Sequence, residues 1–374
     1  MTSKKINTNR KRIDAIDSRI LDLIQKRALL AKEIGNIKKK NATNNKASFY
    51  RPARESSIIR NLIKKNPGPI VDKKIKLIFK ELISACLSLE QQLNIAFLGP
   101  LGTHSEGAVK NHFWSSVKFN PRISIDDVFN QVKAESSDFG IVPVENSSEG
   151  VVNSTLNCLT DFDIKICGET YIDINHYLAG SKKSSLKATK KVASHAQALG
   201  QCAKWLEKNL PNIERVATSS TAEAAELAKS DSTILCIVSE HAISRHKLKC
   251  HANNIQDFMD NKTRFIVVGN QEISRTGLDK TSLLIQTVNL PGALVNLLSA
   301  FKKEDINLHR IETRPSRQTT DSHNFFIDCE GHNKDKKLRK VIDEIRKKGA
   351  FVRILGSYPL ETWMKSYSKI SIMA

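Results

Sequence analysis

The stretch Ile95-Ala96-Phe97-Leu98-Gly99-Pro100-Leu101-Gly102-Thr103-His104-Ser105-Glu106-Gly107-Ala108 divides the chain. Four apolar residues make a short buried strand, and Gly99, Pro100 and Gly102 end it with turn chemistry. Thr103 and Ser105 stand where a helix would begin. A strand that runs into glycines and hydroxyls presents free backbone N–H groups, which suits a small anion. An ordinary strand-to-helix turn capped by Thr103 or Ser105 reads equally well. Upstream the sequence reads as long helices, and downstream strand and helix alternate. At 374 residues the chain is long for one core, so two or three domains are expected.

Towards the N-terminus, Ile6, Arg10, Ile13, Ile16, Ile20, Leu23, Arg27, Leu30, Ile34 and Ile37 recur every three or four residues. That is one face of a single helix about 48 Å long. Arg10 and Arg27 interrupt an otherwise apolar seam, where a guanidinium is costly unless paired. An internal salt bridge would satisfy one of them. Two on one seam, with Lys38 at its end, point to a polyanionic ligand. So long a helix overhangs any three-helix domain, so a dimer with shared helices is expected. Lys39 to Ser48 reads as a polar loop. Pro52 opens a second helix with Arg54 and Glu55 in its first turn, Pro67-Gly68-Pro69 ends it, and a third helix carries Ile75 to Leu93 with Cys86 and Glu90 one turn apart.

The run Arg10, Asp17, Arg27, Lys38, Arg54-Glu55, Cys86, Glu90 resembles the all-helical chorismate mutase family over residues 6 to 93. The resemblance implies that Arg10, Arg27, Lys38, Arg54, Glu55, Cys86 and Glu90 are active-site positions, with Arg10 reaching into the partner's site. Chorismate is a dicarboxylate that rearranges without covalent help, so positioning and electrostatics are all an enzyme can offer. Arg10 and Arg27 would clamp carboxylates, and Lys38 would donate to the ether oxygen as its C–O bond breaks. Glu90 would hydrogen-bond the same oxygen, which requires it to be protonated; some relatives have Gln there. Arg51 stands where relatives often have Asp, and Cys86 where some have Ser.

Downstream, Phe139-Gly140-Ile141-Val142-Pro143-Val144-Glu145-Asn146-Ser147-Ser148-Glu149-Gly150 repeats the pattern of apolar strand followed by polar residues. Val192-Ala193-Ser194-His195 is a further strand end, with Gln197 and Gln201 in the helix after it. Thr218-Ser219-Ser220-Thr221 is a hydroxyl-rich helix start, and Asn261-Lys262-Thr263-Arg264-Phe265 leads into Ile266-Val267-Val268. The alternation predicts a mainly parallel sheet in two lobes, with ligands at the strands' carboxyl ends. Structural roles compete at each position: Glu145 and Ser147 as a helix cap, His195 as a core histidine, Ser219 and Thr221 as N-caps, Thr263 as a strand-edge hydroxyl. No nucleophile elbow, metal spacing or phosphate-loop lysine is present, which disfavours covalent, zinc and nucleotide chemistry.

From Leu93 to Gly269 the motifs IAFLGPLGTHSEGA, VPVENSS, SHAQALGQC, TSSTAEAA and NKTRF resemble prephenate dehydratase. This implies that Thr263, Arg264 and Phe265 form the catalytic motif and that Glu145, Asn146, Ser147, Ser194, His195, Gln201, Ser219 and Thr221 line the cleft. Prephenate loses CO2 and its ring hydroxyl together, so a donor is needed for the departing hydroxide. Thr263 is the family's candidate, Arg264 would hold a carboxylate, and Phe265 would pack on the ring.

Residues 281 to 358 restart with the order βαββαβ, which suggests a ferredoxin-like fold. Gly292-Ala293-Leu294-Val295 and Glu312-Thr313-Arg314-Pro315 resemble the two phenylalanine-binding motifs of the ACT regulatory domain, although the second usually has Ser where Thr313 stands. Feedback inhibition by phenylalanine held between subunits is what that resemblance implies. The fold class expected is thus multidomain: an all-α three-helix mutase domain at 1–93, a two-lobed α/β dehydratase domain at 94–270, a ferredoxin-like ACT domain at 278–360 and a tail at 361–374. The order matches that of bifunctional chorismate mutase–prephenate dehydratases.

Formal charge is +20, but the basic residues are spread along the chain with few aromatics, which favours acidic substrates over nucleic acid. An amino-acid-sensing binding protein with a two-lobed cleft is the rival reading from another class. Cys86, Cys158, Cys167, Cys202, Cys236, Cys250 and Cys329 are scattered with no CxxC pair, as in a reduced cytoplasmic protein. No signal-peptide core or membrane span is read, and neither cofactor nor metal is expected.

Overall fold

The computed structural model describes residues 2–41, 49–315 and 322–361. They fall into two units, Met1–Leu93 with Phe113–Lys118, and Asn94–His112 with Phe119–Ala374. The stretch read as a tail, Trp363 to Ala374, lies outside the described residues, as do residues 42–48 of the expected polar loop.

In the first unit, α1 (Thr2–Asn41), α2 (Pro52–Lys65) and α3 (Asp72–Glu90) form the expected three helices, α1 running slightly further than its apolar seam. Pro52 takes the first turn of α2, where its missing N–H costs nothing. Asn66 closes the turn after α2 with bonds to the Ile70 carbonyl (2.8 Å) and Asp72 (2.7 Å). Gly35 is required where α1 meets α3, because an added Cβ would lie 2.9 Å from the Cα of Glu90. Most of the seam stays uncovered. Ile6, Ile13, Ile16, Ile20, Leu23, Leu30, Ile34 and Ile37 are 46–64% exposed, far from the burial an apolar stripe normally finds.

The second unit runs β1 (Asn94–Leu98), α4 (His104–Phe113), β2 (Lys118–Arg122), α5 (Ile125–Lys133), β3 (Phe139–Asn146), β4 (Gly150–Val151), α6 (Asn153–Asp161), β5 (Lys165–Asp173), β6 (Tyr177–Gly180) and β7 (Lys191–His195). It continues with α7 (Ala196–Gln201), α8 (Ala203–Asn209), β8 (Glu214–Thr218), α9 (Thr221–Ser230), β9 (Ile234–Val238), α10 (Glu240–His246), β10 (Lys249–Ala252) and β11 (Lys262–Gly269). Last come β12 (Asp279–Val288), α11 (Ala293–Lys303), β13 (Leu308–Pro315), β14 (Ser322–Glu330), α12 (Lys336–Lys347) and β15 (Phe351–Pro359).

Two sheets carry the first two-thirds of this unit, ordered β2-β1-β3-β11-β5, with β4 beside β3, and β10-β6-β9-β7-β8. They are mixed, not mainly parallel as expected. β1–β3, β7–β8 and β7–β9 pair parallel, but β11 is antiparallel to both β3 and β5, and β6 to both β9 and β10. The chain leaves the first sheet along β5 and returns along β11, and a returning strand enters from the far end. That return lays the start of β11 against the end of β3, so Thr263 pairs with Asn146 and Arg264 with Glu145.

The final third forms an antiparallel sheet in the order β13-β14-β12-β15, with the βαββαβ connectivity read from the sequence. Leu284, Phe326, Leu355 and Tyr358 of this module share one apolar core with Val142, Val144, Ile166 and Ile266. A Cβ at Gly356 would come within 2.1 Å of the Ile166 carbonyl oxygen, so β15 lies on β5 without side-chain space between them. Among the described residues no helix is long and apolar enough to cross a membrane.

Candidate active sites

In the helical unit a cavity of about 550 Å³ gathers Arg27, Leu30, Ile34 and Lys38 from α1, Arg54, Glu55 and Ile58 from α2, and Cys86 and Glu90 from α3, with Phe49, Tyr50 and Arg51 closing one side. Arg27 and Lys38 are eleven residues apart, about three helical turns, so one face presents both. Cys86 and Glu90 are one turn apart on α3. Lys38 Nζ lies 2.7 Å from Glu90 Oε2, with both side chains largely buried, and 5.4 Å from the centre of the Phe49 ring. Four cations (Arg27, Lys38, Arg51, Arg54) thus meet two carboxylates (Glu55, Glu90) between apolar walls. Such a pocket suits a small polyanion with an apolar body. Six of the seven predicted mutase residues come together here. Arg10 does not; it is exposed and about 26 Å further up α1. Phe49 and Tyr50 carry no periodic signal and were not readable as pocket residues.

In the second unit Asn146 Nδ2 donates to Thr263 Oγ1 at 2.8 Å, joining motifs 117 residues apart. The amide cannot be reversed, because Asn146 Oδ1 accepts the backbone N–H groups of Ser148 (2.9 Å) and Glu149 (3.2 Å). Thr263 Oγ1 is therefore an acceptor from Asn146, and its own proton remains to be given elsewhere. Ser147 Oγ accepts from the Lys262 N–H at 2.9 Å and donates to Asn261 Oδ1 at 3.2 Å, which ties the two strand ends together.

A second chain of bonds links the two sheets. Gln201 Nε2 donates to Glu149 Oε1 at 3.1 Å, so Gln201 Oε1 faces His176 Nε2, 2.7 Å away. His176 consequently carries its proton on Nε2, and its buried Nδ1 has no partner among the described residues. His104 packs edge-on to His176 with ring centres 6.0 Å apart. Burial first, then the neighbouring His176 and His241, pulls His104 down to about 3, and burial lowers His176 as well, so both rings are neutral. His195 caps α7 through Nδ1, which accepts from the Gln197 N–H at 3.4 Å.

At the turn Gly99–Ser105, two of the backbone N–H groups are bonded within the protein. Gly99 donates to the Arg122 carbonyl at 2.8 Å, and Gly102, at φ +91°, donates to Glu106 Oε2 at 2.6 Å. The Thr103 hydroxyl donates to the Pro100 carbonyl at 3.0 Å.

Several predicted cleft residues are placed otherwise. Ser194 is wholly buried and its hydroxyl donates to the Ile237 carbonyl at 2.7 Å, a link between β7 and β9. Ser220, not Ser219 or Thr221, caps α9, and Ser219 bonds Glu223 at 2.6 Å. Phe265 is 2% exposed, an interior packing residue. Arg264 is turned away from the expected substrate position. Its guanidinium reaches Asp328 (2.5 Å), Glu169 (3.0 Å) and the Tyr358 hydroxyl (3.1 Å), while Lys280 completes the cluster 2.8 Å from both Glu169 oxygens. Neighbours on a strand face opposite sides, so the motif that aims Thr263 one way aims Arg264 the other. Burial works against both charges. Even so, Arg264 and Lys280, with the Ser282 hydroxyl, hold the Asp328 carboxyl at about 2, and Asp328 with Glu169 keeps Arg264 firmly protonated. Glu145 is likewise engaged, with Arg310 Nε of β13 at 3.2 Å.

In the C-terminal module, Val288 pairs with Ser322 and Pro315 with His323, so the segments after β12 and at the end of β13 reach the same end of the sheet. Gly292 takes φ +81° at the start of α11, a conformation that a side chain would strain. Leu294 and Val295 are 39% and 66% exposed.

Comparison with known proteins agrees with this geometry. The family profile described as Prephenate dehydratase matches residues 95–273, and that described as Chorismate mutase type II matches residues 9–91. A bifunctional chorismate mutase/prephenate dehydratase of Stutzerimonas stutzeri is 43% identical over 94% of this chain and 96% of its own length, and one of Aquifex aeolicus is 42% identical over the same shares. A solved prephenate dehydratase of Arthrobacter aurescens in complex with L-Phe superposes with a TM-score of 0.65 at 31% identity, covering 71% of this chain and 90% of that one. With a charged cavity inside the matched helices and the Thr263–Asn146 pair inside the matched α/β region, the chain belongs to the bifunctional chorismate mutase/prephenate dehydratase family.

Proposed function

We propose that the chain converts chorismate to prephenate in the helical cavity and prephenate to phenylpyruvate beside Thr263, on the route to phenylalanine, and that phenylalanine bound to the C-terminal module inhibits the second step. The observation that carries the reading is the cation excess of the cavity, which matches a dicarboxylate and leaves room for its ring. There Arg27 and Arg54 hold carboxylates while Lys38 and a protonated Glu90 donate to the ether oxygen as charge grows on it. Glu55 and Cys86 complete the wall. Arg10 lies too far along α1 to act in its own chain's cavity, so it serves the cavity of a second copy. A second copy lying along α1 would also cover the exposed seam, at a gain of roughly 1 kcal/mol for each side chain buried.

In the second unit Thr263 donates its free proton to the departing ring hydroxyl, with Asn146 holding the oxygen in place. A hydroxyl is a weak acid, so it acts as a positioned donor, and aromatisation with loss of CO2 drives the step. Glu149, Gln201 and the mouth residues His195, Ser147 and Ser219 border the cleft. The segments Gly292–Val295 and Glu312–Pro315 form the phenylalanine site of an ACT domain at 278–360. The exposed Leu294 and Val295 there suit a site completed between copies. Residues 1–93 and 94–270 are the mutase and dehydratase domains. Seven unpaired cysteines fit a reducing cytoplasm.

Thr263→Ala tests the dehydratase assignment. Phenylpyruvate formation from added prephenate should fall about 100-fold or more, with prephenate formation from chorismate unchanged. Turnover close to wild type would remove Thr263 from the reaction.

A further inference from the structure

We propose that four charges, Glu145, Arg264, Arg310 and Asp328, form a clasp through which the C-terminal module positions the dehydration site and transmits phenylalanine binding to it. The proposal rests on the regulatory reading above and adds the residues that carry it.

Glu145 and Arg264 are register partners on β3 and β11, one residue along from the bonded pair Asn146 and Thr263. Arg310 and Asp328 are register partners on β13 and β14. Each sheet thus presents one anion beside one cation, and each charge meets its opposite across the contact: Arg264 Nη1 to Asp328 Oδ2 at 2.5 Å, and Arg310 Nε to Glu145 Oε2 at 3.2 Å. Two ion pairs and two register pairings thus connect the four residues in a ring.

The two contacts differ in exposure. Arg264 and Asp328 are 6% and 7% exposed, backed by Glu169, Lys280, Ser282 and Tyr358. Breaking that contact strands a buried charge, so it holds β11 and β14 in fixed register. Arg310 is 12% exposed, but its partner Glu145 is 41% exposed, so water can take the place of Arg310 beside Glu145. This contact is the one a modest force opens. Arg310 precedes Glu312, the first residue of the phenylalanine segment, by two positions. Both therefore share a face of β13, about 7 Å apart. A ligand that pulls on Glu312–Pro315 moves Arg310, and through Glu145 it moves Asn146, which orients Thr263. Arg310 and Asp328 are positioning residues, touching no reacting atom.

The test uses the full-length chain, wild type and Arg310→Gln, with Arg310→Lys as the conservative control. Phenylpyruvate formation is followed against prephenate concentration with and without phenylalanine, phenylalanine uptake is measured by equilibrium dialysis, and the mutase rate checks that the chain is intact. Arg310→Gln should bind phenylalanine as wild type does, keep its KM for prephenate, and lose no more than about fivefold in kcat. Its inhibition should weaken by about fivefold or more, and Arg310→Lys should recover part of it. Undiminished inhibition of Arg310→Gln, with binding retained, would overturn the clasp alone. A wild-type chain that takes up no phenylalanine would overturn the regulatory reading and the clasp with it.

Discussion

Among the described residues lining the helical cavity, Arg27, Lys38, Arg51 and Arg54 stand with two carboxylates, Glu55 and Glu90, whereas in the interior of the second unit Arg264 and Lys280 meet Glu169 and Asp328 one to one. The first set has positive charge left over and a space beside it. The second is neutral, closed and saturated with hydrogen bonds. Charge in excess around a cavity marks a place for a ligand, and charge balanced in the interior marks a joint. Arg27 and Arg264 both invite the reading of a carboxylate clamp, yet only Arg27 stands where it can act as one.

Substitution at these two arginines separates the roles. Arg264→Ala leaves Asp328 and Glu169 buried against Lys280 alone, and we expect a loss of about 3–5 kcal/mol in the stability of the second unit, read as a lowered unfolding transition. A normal transition with prephenate KM raised would instead return Arg264 to the substrate. Arg27→Ala should do the reverse. Its mutase kcat/KM should fall by about 30- to 1,000-fold, the worth of 2–4 kcal/mol of lost charge contact, with unfolding and phenylpyruvate formation from prephenate unchanged. The smallest effect is expected at Glu90. Paired with Lys38 it accepts a hydrogen bond; to donate one to the ether oxygen it must take up a proton, so mutase activity should rise as pH falls. Glutamine donates at every pH, and Glu90→Gln should therefore flatten the profile. An acid-favouring profile that survives in the variant would remove Glu90 from that role.

The helical unit was largely legible because a period of 3.6 names the face as well as the helix. Spacing put Arg27 on the α1 seam with Lys38 at its end and set Cys86 and Glu90 one turn apart on α3, while joining the two sets rested on the family resemblance. The strand motifs were less informative, because they name residues without saying which side each faces. Ser194 beside His195, and Arg264 beside Thr263, are adjacent pairs whose members part: Ser194 and Arg264 enter the interior, while His195 caps α7 and Thr263 bonds Asn146. The mixed sheets were missed for a related reason. Alternating strand and helix suggests parallel pairing, but nothing local records that β11 returns from the far end. That return creates the Thr263–Asn146 pair and the Arg264–Glu145 pair beside it. Nor does any periodicity announce Phe49 and Tyr50, which reach the cavity from an extended segment. The cluster joining Asp328 to Arg264 and Lys280 to Glu169 spans separations of 64 and 111 residues, and only the folded chain brings it together.

The most direct measurement is to give the wild-type chain chorismate alone and follow both later compounds with time. We predict that prephenate appears first and phenylpyruvate after it, and that added phenylalanine slows only the second. Chorismate left unconsumed, or prephenate accumulating with no phenylpyruvate behind it, would contradict two working sites in one chain.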